Sequence, residues 1–219
     1  MQLRNPNGLS YAVVVLLALN IVFDLVLAAS EIRALSGPDE ALWATTFVGI
    51  NLNLAYSVAF TLYVATGIVF IVWFHRLRKN AEVWAGDLQS RKPGWAIGGW
   101  FIPIANLWIP RGVAVDIWRA SRWQPHAADG RGELVLLNGW WTVWVADMVV
   151  DRIASQLYKR AETADALTTA ATWSLAGYLL DAAAAVLAIL FVRRLTSMQQ
   201  AKATGMIPAA VTKTHPSAQ

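Results

Sequence analysis

The sequence predicts an all-α polytopic membrane bundle, with four transmembrane helices plus a proline-broken re-entrant or fifth membrane segment. Three observations predict it. Hydrophobic residues make up 57% of the 219 positions against 15% charged, and mean hydropathy is +0.44, whereas soluble domains carry about 25% charged residues. Apolar runs recur at lengths near the ~20 residues that cross a hydrocarbon core. Most of the charges fall in the segments between those runs.

The first predicted span covers residues 9–29. Its apolar run exceeds the ~7–15 residues of a signal-peptide core, and it carries Asn20 and Asp24, so it reads as a retained helix. The second covers residues 48–72, opening near Asn51 and Asn53 and closing before the basic run Arg76, Arg78, Lys79. Residues 94–109 form a shorter apolar segment interrupted by Pro103, with Pro110 just beyond and Asn106 between them. Freed backbone groups at such a break need protein or a watered cavity to satisfy them, which predicts a cavity wall or lid from residue 100 to 110. Residues 134–156 and 170–192 complete the set. The chain thus divides into a short N-terminal segment (1–8), a helical membrane domain (9–195) and a flexible tail (196–219) containing Gly205, Pro208 and Pro216.

Loop charge sets the orientation. The first connection holds Arg33 against Glu31, Asp39 and Glu40, while residues 76–131 hold nine Lys and Arg, including Arg91, Lys92, Arg111, Arg119 and Arg122. The positive-inside rule places that segment in the cytoplasm of a cell-membrane protein. With four full crossings both termini are cytoplasmic, and Arg193, Arg194 and Lys202 join the same side. The net charge of +4 then reflects orientation rather than nucleic-acid binding. There are no cysteines, so no disulfide, thiolate metal site or cysteine nucleophile is available. Trp43, Trp73, Trp84, Trp118 and Trp123 fall where interfacial aromatic belts are expected, and His75 reads as an interfacial residue.

The costliest feature is the stretch from Trp140 to Asp151. Trp140, Trp144, Asp147 and Asp151 follow one another by four, three and four residues, a single helix face carrying two indoles and two carboxyls. An ionisable group at the bilayer centre costs ~2.5–3.5 kcal/mol on insertion scales and marks a functional site by default. The predicted topology sets Asn20, Asp24, Asp147, Asp151 and Asp181 between mid-depth and the outer half, where they can line one cavity, with Arg152 placed to neutralise a carboxylate.

The order Trp73-Phe74-His75-Arg76, Pro93-Gly94-Trp95-Ala96, Trp100-Phe101-Ile102-Pro103-Ile104-Ala105-Asn106-Leu107-Trp108 and Ile117-Trp118 resembles an actinobacterial integral membrane family of unknown function. Leu137-Asn138-Gly139-Trp140-Trp141 is similar to that family's following helix. The resemblance implies a compact helical membrane domain over roughly residues 9–195. This chain departs from it at Ile109-Pro110-Arg111-Gly112, where members carry a Lys-Pro-Tyr-Gln-like stretch, and at Asp116, where they carry glutamate. Asp147 and Asp151 stand where neutral polar residues are usual.

Aromatic faces beside a buried acid suit proton-initiated cyclisation, in which a neutral carboxyl protonates an alkene or epoxide and indole faces steer the carbocation. Small membrane-bound terpene cyclases share this size and these working parts, as an analogy without a motif match. In that reading the partner is a hydrophobic prenylated small molecule in the bilayer and no cofactor is needed. Asp147 or Asp181 donates the proton, and Asp24 or Asp151 tunes it or takes the last proton. Trp100, Asn106, Trp140, Trp144, Tyr178 and Asn20 bind substrate. One alternative pairs Asn20-x-x-x-Asp24 with Asp147-x-x-x-Asp151 to hold Mg²⁺ and a diphosphate, as intramembrane prenyltransferases do. The other is a non-catalytic scaffold or regulatory protein whose polar residues join helices.

Overall fold

The computed structural model describes residues 3–36, 46–47 and 50–206. The elements are α1 (Asn7–Ser36), β1 (Thr46–Phe47), β2 (Ile50–Asn51), α2 (Leu52–Ala85), α3 (Trp95–Gly98), α4 (Ile109–Ser121), α5 (Val135–Arg160) and α6 (Ala164–Met206), with 3-10 turns at Gly86–Leu88 and Ala105–Leu107. The two strands form one antiparallel pair, Thr46 opposite Asn51 and Phe47 opposite Ile50. Asp39, Glu40, Trp43, the side chains of Asn51 and Asn53, and residues 207–219 of the expected tail lie outside the described residues.

Among the described residues three helices are long and apolar enough to cross a membrane, over Asn7–Arg33, Leu54–Leu88 and Ala164–Gly205, and they mark the chain as a membrane protein. At 1.5 Å per residue, the 26-residue α5 is about 39 Å long. It has the length of a span but a more polar sequence, owing to Asp147, Asp151 and Arg152. Residues 94–109 hold only the four-residue α3 and the 3-10 turn, and the chain doubles back after Pro103 through Ile104 at φ 66°. Phe101, Ile102, Ile104 and Trp108 project from this turn with 72%, 42%, 70% and 53% of their surface exposed. That is an apolar tip suited to lipid rather than to water.

α6 is the spine, packing along α5 on one side and α1 on the other, and α1 packs in turn on α2. α2 and α5 meet through aromatic side chains. Phe70 lies 5.7 Å from Trp140, and Trp100 bridges Phe70 and Trp144 at 5.6 Å from each. Below them Phe191 stacks on Trp140 at 4.8 Å and meets Trp73 edge-on.

Two expectations need correction here. The last helix continues through Met206, where the sequence suggests a flexible tail from residue 196. Its end is held because Gln199 and Lys202 are buried, at 1% and 5% exposure. Gln199 donates to the Leu77 carbonyl and Ser121 Oγ, and accepts from Asn80. Lys202 Nζ donates to the carbonyls of Ala120 and Arg122 at 2.8 and 2.6 Å. Secondly, Trp73 and Trp118 are core residues rather than belt residues, buried to 0% and 4%. Their indole N–H groups find internal acceptors, Thr196 Oγ1 and Glu133 Oε1.

The basic segment has structural duties. Arg78 is buried and donates to the Arg91 carbonyl at 2.6 Å, and Asp116 accepts from both the backbone N–H and the hydroxyl of Ser90. Arg119 pairs with Asp129 and Arg122 with Glu133, closing the loop between α4 and α5. Arg119 holds the Asp129 carboxyl below its ordinary value. Burial pushes the Glu133 carboxyl up, but the Gly130 N–H, the Trp118 indole and Arg122 together bring it below its ordinary value.

Candidate functional site

Each of the four long helices carries one polar stripe at helical spacing. On α1 it is Asn20, Asp24 and Glu31; on α2, Tyr56, Tyr63 and Thr66. On α5 it is Asp147, Asp151 and Tyr158; on α6, Ser174, Tyr178 and Asp181. Steps of three, four and seven residues keep each set on one face, so the four stripes line up as a column of polar groups, with Asn20, Asp24, Glu31, Thr66 and Asp147 buried and Tyr56, Tyr63, Asp151 and Tyr158 exposed along its side.

The lower part of the column is a cavity of about 160 Å³. It is lined by Asn20, Tyr63, Thr66, Phe70, the indoles of Trp100, Trp140 and Trp144, and Asp181. Ala184, Ala185 and Ala188 complete the α6 wall, and their small side chains leave the space that the tryptophans of α5 border. Asn20 donates to Thr66 Oγ1 at 2.7 Å and to its own helix at Leu16, joining α1 to α2 at the rim. The buried Trp100 Nε1 has no acceptor among the described residues.

Above the cavity, Asp24 and Asp147 are buried to 8% and 5% exposure. One oxygen of each, Asp24 Oδ2 and Asp147 Oδ1, has no hydrogen-bond partner among the described residues. Asp151 rests against the bare Cα of Gly177: a Cβ built there meets Asp151 Oδ1 at 2.5 Å. All four aspartates lie within electrostatic reach of one another.

A second, outer pocket of about 550 Å³ caps the column, lined by Glu31, Tyr56, Asp151, Ser155, Tyr158, Ser174 and Tyr178. Tyr158 donates to Glu31 at 3.3 Å, and Tyr178 and Tyr56 line the same pocket. Asp151 therefore belongs both to this pocket and to the acidic cluster.

Of the residues singled out from the sequence, Asn20, Trp100, Trp140, Trp144 and Asp181 share the inner cavity. Asp24, Asp147 and Asp151 gather beside it, and Tyr178 faces the outer pocket. Asn106 sits half-buried in the 3-10 turn and is not among the residues lining either space. Arg152 is exposed and forms no ion pair among the described residues, so the expected neutralisation of a carboxylate does not occur; its neighbour Asp151, exposed as well, rests against Gly177 of α6. No three His, Cys, Asp or Glu converge on a common point among the described residues. Sequence reading missed Tyr63, Thr66 and Phe70 in the cavity and Glu31, Tyr56 and Tyr158 outside it. Their spacing on α1, α2 and α5 was the available signal, obscured because Tyr, Thr and Phe are unremarkable in apolar helices.

The aromatic residues of the family-like pattern also have structural duties. Trp141 Nε1 donates to the Leu107 carbonyl, fixing the broken segment to α5. Gly99 sits where an added Cβ would lie 2.7 Å from Ile109 Cγ2 and 2.8 Å from the Trp95 carbonyl oxygen. That close approach folds Trp100 back toward Phe70 and Phe74.

No curated protein and no solved structure matches the chain. A family model does match, over residues 33–197, which takes in α2 to α5 and most of α6 and leaves Asn20 and Asp24 of α1 outside the matched region. The chain belongs to that family, the domain of unknown function DUF4328.

Proposed function

We propose that this protein is an integral membrane enzyme of terpene cyclase type, acting on the prenyl terminus of a hydrophobic substrate drawn from the bilayer. In this reading α5 is a fourth crossing, residues 94–109 re-enter the membrane without crossing it, and both termini are cytoplasmic. One observation carries the proposal: a cavity with a single carboxyl in its wall, Asp181, faced by Trp100, Trp140, Trp144, Tyr63 and Phe70. An apolar cavity of ~150 Å³ holds a molecule the size of benzene. The space of about 160 Å³ therefore suits the reacting end of a prenyl chain, with the remainder lying outside.

The Asp181 carboxylic acid gives its proton to an alkene carbon or an epoxide oxygen, leaving a tertiary carbocation and an aspartate. A neighbouring alkene attacks the cation and forms the ring bond. A carboxylate of the cluster, Asp24 or Asp151, then takes a proton from the carbon beside the final cation. The product has the mass of the substrate. The negative faces of the indoles stabilise the cation in transit without trapping it covalently.

The test uses membranes containing the protein, incubated with prenylated aromatic and diketopiperazine substrates with and without EDTA. A product of unchanged mass that forms in EDTA, and is lost with Asp181→Asn in a protein still inserted, is the expected result. Asp147→Asn, altering an acid behind the cavity wall, is expected to slow turnover rather than abolish it. Full activity in both variants sinks the assignment of the acid. Strict dependence on Mg²⁺ with release of diphosphate would favour prenyl transfer instead. The Asn20–Thr66 bond favours a second reading for Asn20 alone, that of an interhelical fastener.

A further inference from the structure

Four carboxyls share the upper bundle, and none of them is a member of the ion pairs Lys79–Glu82, Arg119–Asp129, Arg122–Asp129, Arg122–Glu133 and His126–Asp87. Asp24 and Asp147 are more than nine-tenths buried, and each keeps an unpartnered oxygen directed into the bundle. Beside them stands a cavity walled by three indoles, a phenyl ring and a phenol, with Asp181 in its lining. Aromatic faces and uncompensated carboxyls both favour one kind of occupant, a positive charge of low hydration.

We propose that the cavity binds a compact organic ammonium, the tertiary or quaternary amine head of an amphipathic molecule, and that Asp181 gives up its proton as the cation enters. The proposal rests on the cavity assigned above to cyclisation and takes the charge that this cavity favours as a ligand in its own right. The exchange balances. The Asp181 O–H bond breaks, its proton passes to water, and the carboxylate left behind pairs with the incoming cation. No bond forms to the ligand, so a quaternary ammonium with no N–H serves. The groups facing Asp181 set how the exchange responds to pH. They are Asp24 from α1, Tyr63 from α2, and Asp147 and Asp151 from α5, with Tyr178 one turn away on α6 itself. All are acids or neutral hydroxyls, and the nearby Arg152 is exposed. Nothing among these groups competes with an arriving cation.

The probe is benzyltrimethylammonium, with the uncharged isostere neopentylbenzene as its partner, added to the full-length protein in lipid nanodiscs. Tryptophan fluorescence reads binding, and a pH dye in weak buffer reads proton release. The expected result is at least tenfold tighter binding of the ammonium, about one proton released per cation, and affinity falling about tenfold for each pH unit of acidification while Asp181 is protonated. Asp181→Asn is expected to remove both the preference and the proton release while still binding the neutral isostere, which shows the variant folded. Equal binding of the two probes without proton release overturns the proposal, as does an Asp181→Asn protein that keeps the full preference. If that variant does not fold, proton release by the unaltered protein decides. Turnover of prenylated substrates is scored separately. A protein that binds the ammonium but cyclises nothing sinks the cyclase reading alone, and one that cyclises while ignoring the ammonium sinks the present proposal alone.

Discussion

Lys202→Met tests whether the C-terminal end of α6 is part of the folded body. The substitution keeps most of the stem but removes the ammonium whose donors reach the Ala120 and Arg122 carbonyls at 2.8 and 2.6 Å. Those carbonyls lie at the C-terminal end of α4, where helix geometry leaves acceptors unpaired and favours a cation. A hydrogen bond to a charged group contributes roughly 1.5–3 kcal/mol, and two that share one donor are not additive. Because Lys202 is 5% exposed, water does not replace the lost donor, and the expected loss is about 2–4 kcal/mol. For a chain of this size that corresponds to roughly 4–16 °C in Tm. Thermal unfolding in detergent measures it, and hydrogen exchange localises it to residues 118–122 and 199–203. Arg194→Met, on the same helix but exposed, removes the same charge and is expected to change stability by less than about 0.5 kcal/mol. A Lys202→Met protein that melts within 2 °C of the parent, with unchanged exchange at the end of α4, refutes the reasoning.

Gly177→Ala places a Cβ 2.5 Å from the present position of Asp151 Oδ1. It is expected to push that carboxyl outward and cut cyclisation and ammonium binding together, while Gly139→Ala, with open space around it, leaves both intact. Asn20→Val removes the bond to Thr66, and fasteners of this kind contribute ~0.6 kcal/mol, at most ~1.7; a larger loss in a folding titration would contradict the fastener reading. In the loop between α4 and α5, Asp129 and Glu133 have carboxyls held below their ordinary values. The stability they contribute is complete above their unfolded values and is lost as pH falls through the folded ones. Acidification below about pH 4 is therefore expected to speed amide exchange in residues 123–133 before the helices respond, and a loop as protected at pH 3 as at pH 7 would contradict it.

The sequence by itself determined the helical membrane character and the faces of α5 and α6 that carry acid. Both follow from local rules, since apolar length and the 3.6-residue period are visible along a single chain. Asn20, Trp140, Trp144 and Asp181 were legible as inward-facing for the same reason. The tertiary structure decided what local rules leave open. The break between Pro103 and Pro110 leaves the direction of the chain unstated; the close approach at Gly99 and the Trp141–Leu107 bond bring Trp100 into the cavity and leave Asn106 out of it. Tyr63, Thr66 and Phe70 gain meaning only because α2 faces α5 across space left by the alanines of α6. The extended α6 was hidden because a Gln and a Lys read as solvated residues until Asn80, Leu77 and the end of α4 supply their partners. Residues 119, 122 and 82 positions apart in sequence meet there. Hydrogen-bond partners so distant carry no periodic signal, and only packing brings them together.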